Sequence, residues 1–134
     1  MTGGGPVRDL QSMLAGMEPV LDEDSFRFVV PSSAQELAAL HERCFALVYE
    51  EEGQTCVVRP GQGEKGRPFA RITLTVHSDL EGVGLTAAAS SALAGEGIAC
   101  NVIAGFHHDH LFVPWERRIE ALGILKALSH DARR

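Results

Sequence analysis

Between residues 70 and 77 the chain alternates without a break: Ala70, Ile72, Leu74 and Val76 are apolar, while Arg71, Thr73, Thr75 and His77 are polar. A period of two sustained that long is the pattern of a β-strand with one buried face. The next residues, Ser78-Asp79-Leu80-Glu81-Gly82-Val83-Gly84, have the polar and glycine content of a turn, and Leu85, Ala88, Ala89, Ala92 and Leu93 then recur at helical spacing. Gly95 and Gly97 punctuate the helix end. Strand, turn and small-residue helix in succession demand a sheet on which the helix lies, because each has an apolar face that must be covered.

The rest of the second half extends this unit. Residues 98–104, Ile-Ala-Cys-Asn-Val-Ile-Ala, predict a second strand, and its low polarity on both faces predicts a central place, with Asn101 the conspicuous polar insertion. Gly105 to Asp109 predict a turn and Leu111-Phe112-Val113 a third strand; Pro114 then precedes a helix with Ala121, Leu122, Leu125 and Leu128 on its apolar face. Strand–helix–strand–strand–helix is the order of an antiparallel sheet with helices on one face, the split βαβ arrangement.

The first half is less explicit. Leu10, Met13, Leu14 and Met17 share a helical face that Pro19 ends, and residues 25–30 alternate as a strand. Ser33 with Glu36 resembles a capping box, opening a short helix with Leu37, Leu40 and Cys44 on one side. Residues 45–49 and 55–58 flank Glu51-Glu52-Gly53-Gln54 as a hairpin, and the Gly- and Pro-rich residues 61–68 read as a linker.

At 134 residues there is room for one compact domain, or two small ones sharing a core. With 12 Lys+Arg against 18 Asp+Glu the net charge is −6, which argues against a nucleic-acid partner, since little here would displace phosphate counterions. Cys44, Cys56 and Cys100 are odd in number and form no CxxC, so they read as half-buried small hydrophobes in a reducing compartment. The start, Met1-Thr2-Gly3-Gly4-Gly5-Pro6, lacks the basic and apolar regions of a signal peptide, and no apolar run approaches the ~18 residues of a membrane span. A cytoplasmic protein with no membrane partner is expected.

Several motifs invite chemistry. His107-His108-Asp109-His110 offers metal-ligand types, but successive strand residues face opposite ways, so a polar turn is the plainer reading. His107, His108 and His110 stand as candidates should a metal site exist, with His77 or His41 joining only by accident of the fold. Gly61-Gln62-Gly63-Glu64-Lys65-Gly66 matches GxGxxG, yet Pro68 and a strand follow it where a dinucleotide fingerprint must open a helix. It reads as a loop, and no cofactor is expected. Nothing orients Cys100 as a nucleophile beside Asn101, Ser90-Ser91 lacks a GxSxG elbow, and Glu50-Glu51-Glu52 reads as a solvated hairpin tip. Trp115 reads as a staple at the start of the last helix. No catalytic residue emerges, and the chain is not expected to be an enzyme.

Three stretches carry a family resemblance: Ile72-Thr73-Leu74-Thr75-Val76-His77-Ser78, Glu81-Gly82-Val83-Gly84-Leu85-Thr86-Ala87-Ala88, and Asn101-Val102-Ile103-Ala104-Gly105-Phe106-His107-His108-Asp109-His110-Leu111-Phe112-Val113-Pro114. With the element order, they resemble the ACT domain, a small ferredoxin-like module that usually binds amino acids or related metabolites. They look like a bacterial family of short proteins with tandem ACT-like units, and more distantly like the ACT units of the eukaryotic cytosolic arginine sensor. The resemblance is most specific over 69–114 and looser over 115–129. Over 1–60 it rests on Met13, Met17-Glu18-Pro19 and Glu51-Glu52-Gly53.

The resemblance implies an α+β chain of ferredoxin-like ACT fold: a degenerate unit in 1–60, a linker in 61–68 and a clear unit in 69–134, with helices covering an antiparallel sheet. A full unit has a fourth strand after its last helix; none is legible here, so the strand at 25–30 is expected to take that place. A ligand site is implied at Ser78, Asp79, Leu80, Gly82, Val83 and Gly84, with Asn101 and Ile103 on the neighbouring strand. Backbone N–H groups around Gly82, Val83 and Gly84 would receive a carboxylate, Asp79 an α-ammonium group, and Asn101 would add a neutral partner. Glu81 stands where the family's Asp-x-Pro-Gly turn often has proline. The implied function is a regulatory module that binds an amino acid or related metabolite, works as a homodimer and acts on a separate chain. An oligomerisation or docking module with no ligand, whose turn is only a tight connection, and a metal-dependent enzyme using the histidines are the alternatives.

Overall fold

A computed structural model describes residues 5–61 and 65–134, so Met1 to Gly4 and the Gln62, Gly63 and Glu64 of the GxGxxG match lie outside the described residues. The elements are α1 (Leu10–Ala15), β1 (Pro19–Val29), α2 (Ala34–Leu40), β2 (Cys44–Glu50), β3 (Gly53–Val58), β4 (Phe69–Leu74), α3 (Leu85–Ala94), β5 (Asn101–Ala104), β6 (Asp109–Pro114) and α4 (Arg118–Ala132). The strands form one six-stranded sheet in the order β2-β3-β1-β4-β6-β5, with every neighbouring pair antiparallel.

Counted outward from the middle, each half presents its first, third and second strand. The place a fourth strand would hold beside each first strand is held by the other half's first strand. β1 and β4 pair from Pro19 against Leu74 to Phe26 against Phe69. The expected exchange is therefore present, but β1 starts well before residue 25. Its opening half is masked in the sequence by Asp22-Glu23-Asp24, residue types depleted in strands. A register shift between Leu21 and Ser25 accommodates the run, and cations meet it: Arg71 reaches Asp22 at 2.6 Å and Arg59 reaches Asp24 at 2.9 Å.

The two sheet faces bury different things. On one, Ala70, Ile72 and Leu74 of β4 and Leu111 and Val113 of β6 meet Leu85, Ala89 and Leu93 of α3, Ala121 and Leu125 of α4, and Met13 and Met17 at α1, all but fully buried. On the other, the β2–β3 end curls over β4 and β6, so that Phe45 and Val57 close onto Phe26, Phe28, Phe69 and Phe112. The rings meet edge-on, Phe26 to Phe112 at 5.7 Å and Phe28 to Phe112 at 5.5 Å between centroids. A third cluster, Leu40, Cys56 and Val58 with Leu37 and Leu47, seats α2.

One expectation is corrected here: β5 is an edge strand, bonded to β6 alone. Its apolar character has another cause. Val102 packs under the helices while Ile103 joins the aromatic cluster, so both faces are covered although one edge is open. Trp115 packs against the helical core and carries the Arg118 guanidinium 3.8 Å over its ring.

Candidate functional site

The turn between β4 and α3 is built from its own backbone. Gly82 N–H donates to the Asp79 carbonyl at 2.8 Å, and Glu81 N–H to the Asp79 carboxylate at 2.7 Å, an Asx-turn. The N-terminal segment straps it down. Val7 N–H donates to the His77 carbonyl and Asp79 N–H to the Val7 carbonyl, each at 2.8 Å, and Arg8 pairs with Glu81 at 3.1 Å. Glycine at 82 is a steric requirement: a β-carbon would lie 3.1 Å from the Asp79 carbonyl oxygen, 3.1 Å from Met13 Sδ and 3.3 Å from the Arg8 carbonyl oxygen.

Gly84 is the N-cap of α3, with φ at 106° and no side-chain cap. The N–H groups of the helix's first turn have no intrahelical acceptor, so they carry partial positive charge at this end. This end of the helix adjoins a cavity of about 160 Å³ lined by Met13, by Ser78, Asp79, Leu80, Gly82 and Gly84 of the turn, by Leu85 and Thr86 of α3, and by Ala104 and Asp109.

The structure thus gathers Ser78, Asp79, Leu80, Gly82 and Gly84 around one cavity. Val83 is not in its lining and is 81% exposed. Asn101 is exposed on β5, and Ile103 packs into the aromatic cluster on the far face. The N–H of Gly82 is taken up inside the turn, so the donors on offer beside the cavity are the first-turn amides of α3, where Leu85 and Thr86 belong to the lining. Met13, Leu85, Thr86, Ala104 and Asp109 line it as well and are absent from the expected set. A signal for Asp109 was present: in a split βαβ order the β5–β6 hairpin lies beside the end of the first strand, and Asp109 does pair with Leu74.

Asp109 is the electrostatically unusual group. Burial pushes its carboxyl pKa up, against the opposing pull of a Ser78 hydrogen bond and of His108. A half-buried carboxylate in a cavity wall is a group that a cation would stabilise.

The histidines diverge. His110 lies on the aromatic face, its ring 4.8 Å from Phe45 and its Nδ1 2.9 Å from Thr73 Oγ1, and burial, with Arg71 and His108 nearby, lowers its pKa. The His107 ring meets His77 at a tilt and Phe106 edge-on, and the His108 Nδ1 is buried with no hydrogen-bond partner. Among the described residues no group of three or more His, Cys, Asp or Glu is placed to hold a metal ion. Nor is any described helix long and apolar enough to cross a membrane.

Comparison with known proteins gives a consistent picture. Residues 5–66 match one family model described as ACT domain, and residues 70–127 match a second with the same description. A crystal structure of a Vibrio cholerae protein of unknown function is 39% identical, with a TM-score of 0.73 over 85% of this chain and 91% of that one. The ligand-free regulatory subunit of aspartate kinase from Thermus thermophilus shares the fold at 15% identity, with a TM-score of 0.58 over 85% of this chain and 95% of that one. A protein from Agrobacterium tumefaciens does so at 16% identity, with a TM-score of 0.59 over 79% and 82%. No curated protein matches the chain.

Proposed function

The chain belongs to the ACT-domain family, and on that premise we propose that it is a regulatory module whose cavity beside the β4–α3 turn takes a small zwitterionic metabolite, an amino acid fitting best. One observation carries this reading. A single small cavity sets the uncapped N-terminus of α3 against two carboxylates, Asp79 and Asp109. A helix N-terminus suits a carboxylate, and the paired acids suit an ammonium group. The volume, about 160 Å³, is close to that of the ~150 Å³ cavity that admits benzene, so the bound group is small. The two ACT-domain matches, with a fold like that of regulatory subunits of aspartate kinase, are in keeping with a regulatory role. Binding regulates only if the ligand favours one state of the protein over another.

The docking reading has an observation of its own. Leu80, Val83 and Phe106, which are 65%, 81% and 71% exposed, stand on or beside the two turns that flank the cavity. They suit a second copy of the chain, so that a homodimer interface would border the site.

The test is a thermal-shift screen of untagged protein against the twenty amino acids, repeated on Asp109→Asn. A ligand at 100 times its Kd adds about 2.7 kcal/mol. One amino-acid class should raise the wild-type midpoint by several degrees, and the variant should lose that response. The variant should also be the more stable protein without ligand at neutral pH. Burial raises the Asp109 pKa, so its ionised form weakens the fold above the raised value, and that penalty vanishes below the unfolded carboxyl range. If no amino acid shifts the midpoint at millimolar concentration, the ligand reading fails, and a tight dimer under the same conditions would favour docking.

A further inference from the structure

Cys44 and Cys56 are twelve residues apart in sequence, with no motif linking them, yet the hairpin brings them to one small cavity. The device is a register shift. Leu47 pairs with Cys56 and Ala46 with Val57, so an unbroken ladder would set Cys44 opposite Arg59 with its side chain on the face away from Cys56. The irregularity between Cys44 and Ala46 sets Cys44 opposite Val58 instead. That turns its side chain to the Cys56 face and brings it one step nearer, as bulges do when they re-aim a residue. Both thiols line a mainly apolar cavity of about 160 Å³ between β2 and the end of α2, with His41 in the same wall.

We propose that Cys44 and Cys56 form a dithiol site that reduces small hydroperoxides and closes to a disulfide. Cys44 is the attacking sulfur. It is half-exposed at the cavity, its thiol donating to the Ala46 carbonyl at 2.9 Å, whereas Cys56 is fully buried. Burial, and then the neighbouring Cys44, push the Cys56 thiol pKa up, which keeps Cys56 protonated until it is needed. His41 takes the Cys44 proton. The thiolate attacks one peroxide oxygen, the O–O bond breaks, and the other oxygen leaves as water or an alcohol once protonated, giving a sulfenic acid on Cys44. Cys56 sulfur then attacks Cys44 Sγ, and the sulfenic oxygen leaves as water with the Cys56 proton. Two thiols and one hydroperoxide thus give one disulfide, one water and one water or alcohol. The cavity, about 160 Å³ and mainly apolar, suits a small hydroperoxide better than a bulky tripeptide disulfide. Cys100 lies outside this cavity, and burial pushes its pKa up to about 11, so it serves as an internal control.

Wild-type full-length protein would be treated with hydrogen peroxide, alkylated after denaturation, and mapped by peptide mass spectrometry. Two of the three thiols should disappear together, return on reduction, and yield a linked Cys44–Cys56 peptide while Cys100 stays alkylatable. Cys56→Ala should trap a dimedone-reactive sulfenic acid on Cys44, and the wild-type map decides the matter if that variant does not fold. Oxidised glutathione should leave all three thiols free at matched oxidant. Oxidation of Cys44 to the sulfinic acid with Cys56 still free, reaction at Cys100 first, unreactive thiols, or a glutathione adduct on Cys44 would each overturn the proposal.

Discussion

Replacing Gly82 by alanine tests whether the β4–α3 turn is shaped by its contacts or merely connects two elements. The added methyl carbon would sit 3.1 Å from Met13 Sδ and 3.1 Å from the Asp79 carbonyl oxygen, with the Arg8 carbonyl at 3.3 Å. Two of these three neighbours are backbone atoms, and Met13 is fully buried, so no flexible end can swing away. The turn has to shift by a few tenths of an ångström, which disturbs the Gly82 to Asp79 hydrogen bond. Overpacking of this kind costs about 1–3 kcal/mol. At roughly 2–8 °C per kcal/mol the midpoint should fall by several degrees or more, in thermal or urea unfolding followed by circular dichroism. The partner contact can be isolated with Met13→Ala, which by itself removes a core side chain at about 2–5 kcal/mol. If the clash is real, the double variant costs less than the two singles together, by about 1 kcal/mol. A Gly82→Ala protein as stable as wild type, or strictly additive singles, would refute the close-contact account of the turn.

Phe112→Ala, which empties the centre of the aromatic face, should cost about 3–5 kcal/mol in denaturant unfolding, whereas Phe106→Ala at a 71% exposed site should stay within about 0.5 kcal/mol. Gly123 lies exposed within α4 with nothing within 4 Å of an added Cβ, so Gly123→Ala should raise stability by about 0.5–1 kcal/mol. Asp22 carries a pH signature. Burial alone would push its pKa up, but the Asp24 N–H and the Arg71 and Arg59 charges outweigh that and hold it below the usual carboxylate range. Its stabilising share is therefore present above the unfolded carboxyl pKa of ~3.9 and is lost as pH falls through the lower folded value. Asp22→Asn should be less stable at neutral pH, and its deficit should shrink in acid titrations of unfolding.

What the sequence disclosed depended on whether a residue's partners were local. Ile72, Leu74 and Leu111, and the helical stripe from Ala121 to Leu128, each face one way for several residues, and their periodicity was enough to find them. The opening of β1 failed that test because Asp22 and Asp24 are tolerated there only through Arg71 and Arg59, far away in the chain. β5 misled for a related reason: two different cores cover its faces, and apolar coverage says nothing of strand order. At the site, the turn residues were legible as a turn with glycines at two steric constraints. Asp109 looks like a turn-former in the sequence, since its place in the cavity wall arises from pairing with Leu74 across the sheet. Ile103 and Asn101 enter the expected site only through the family resemblance, and strand alternation sends Ile103 to the far face.

The pairing of β1 with β4 at the centre of the sheet has a consequence for how such a chain can be inherited and built. Each half lends its first strand to complete the other, so neither is a cassette that can be excised, transplanted or lost independently. Separating residues 5–61 from 65–134 would uncover β1 along Pro19 to Phe26 and β4 along its whole length, two adhesive edges where the intact chain has a sealed seam. On the ribosome the same arrangement delays completion: the first half emerges with β1 paired to β3 at its end but open along Pro19 to Phe26, and that stretch must wait for Phe69 to Leu74 to be synthesised. Duplication can produce such a molecule, and once the strands have been exchanged the two copies are bound to a common fate.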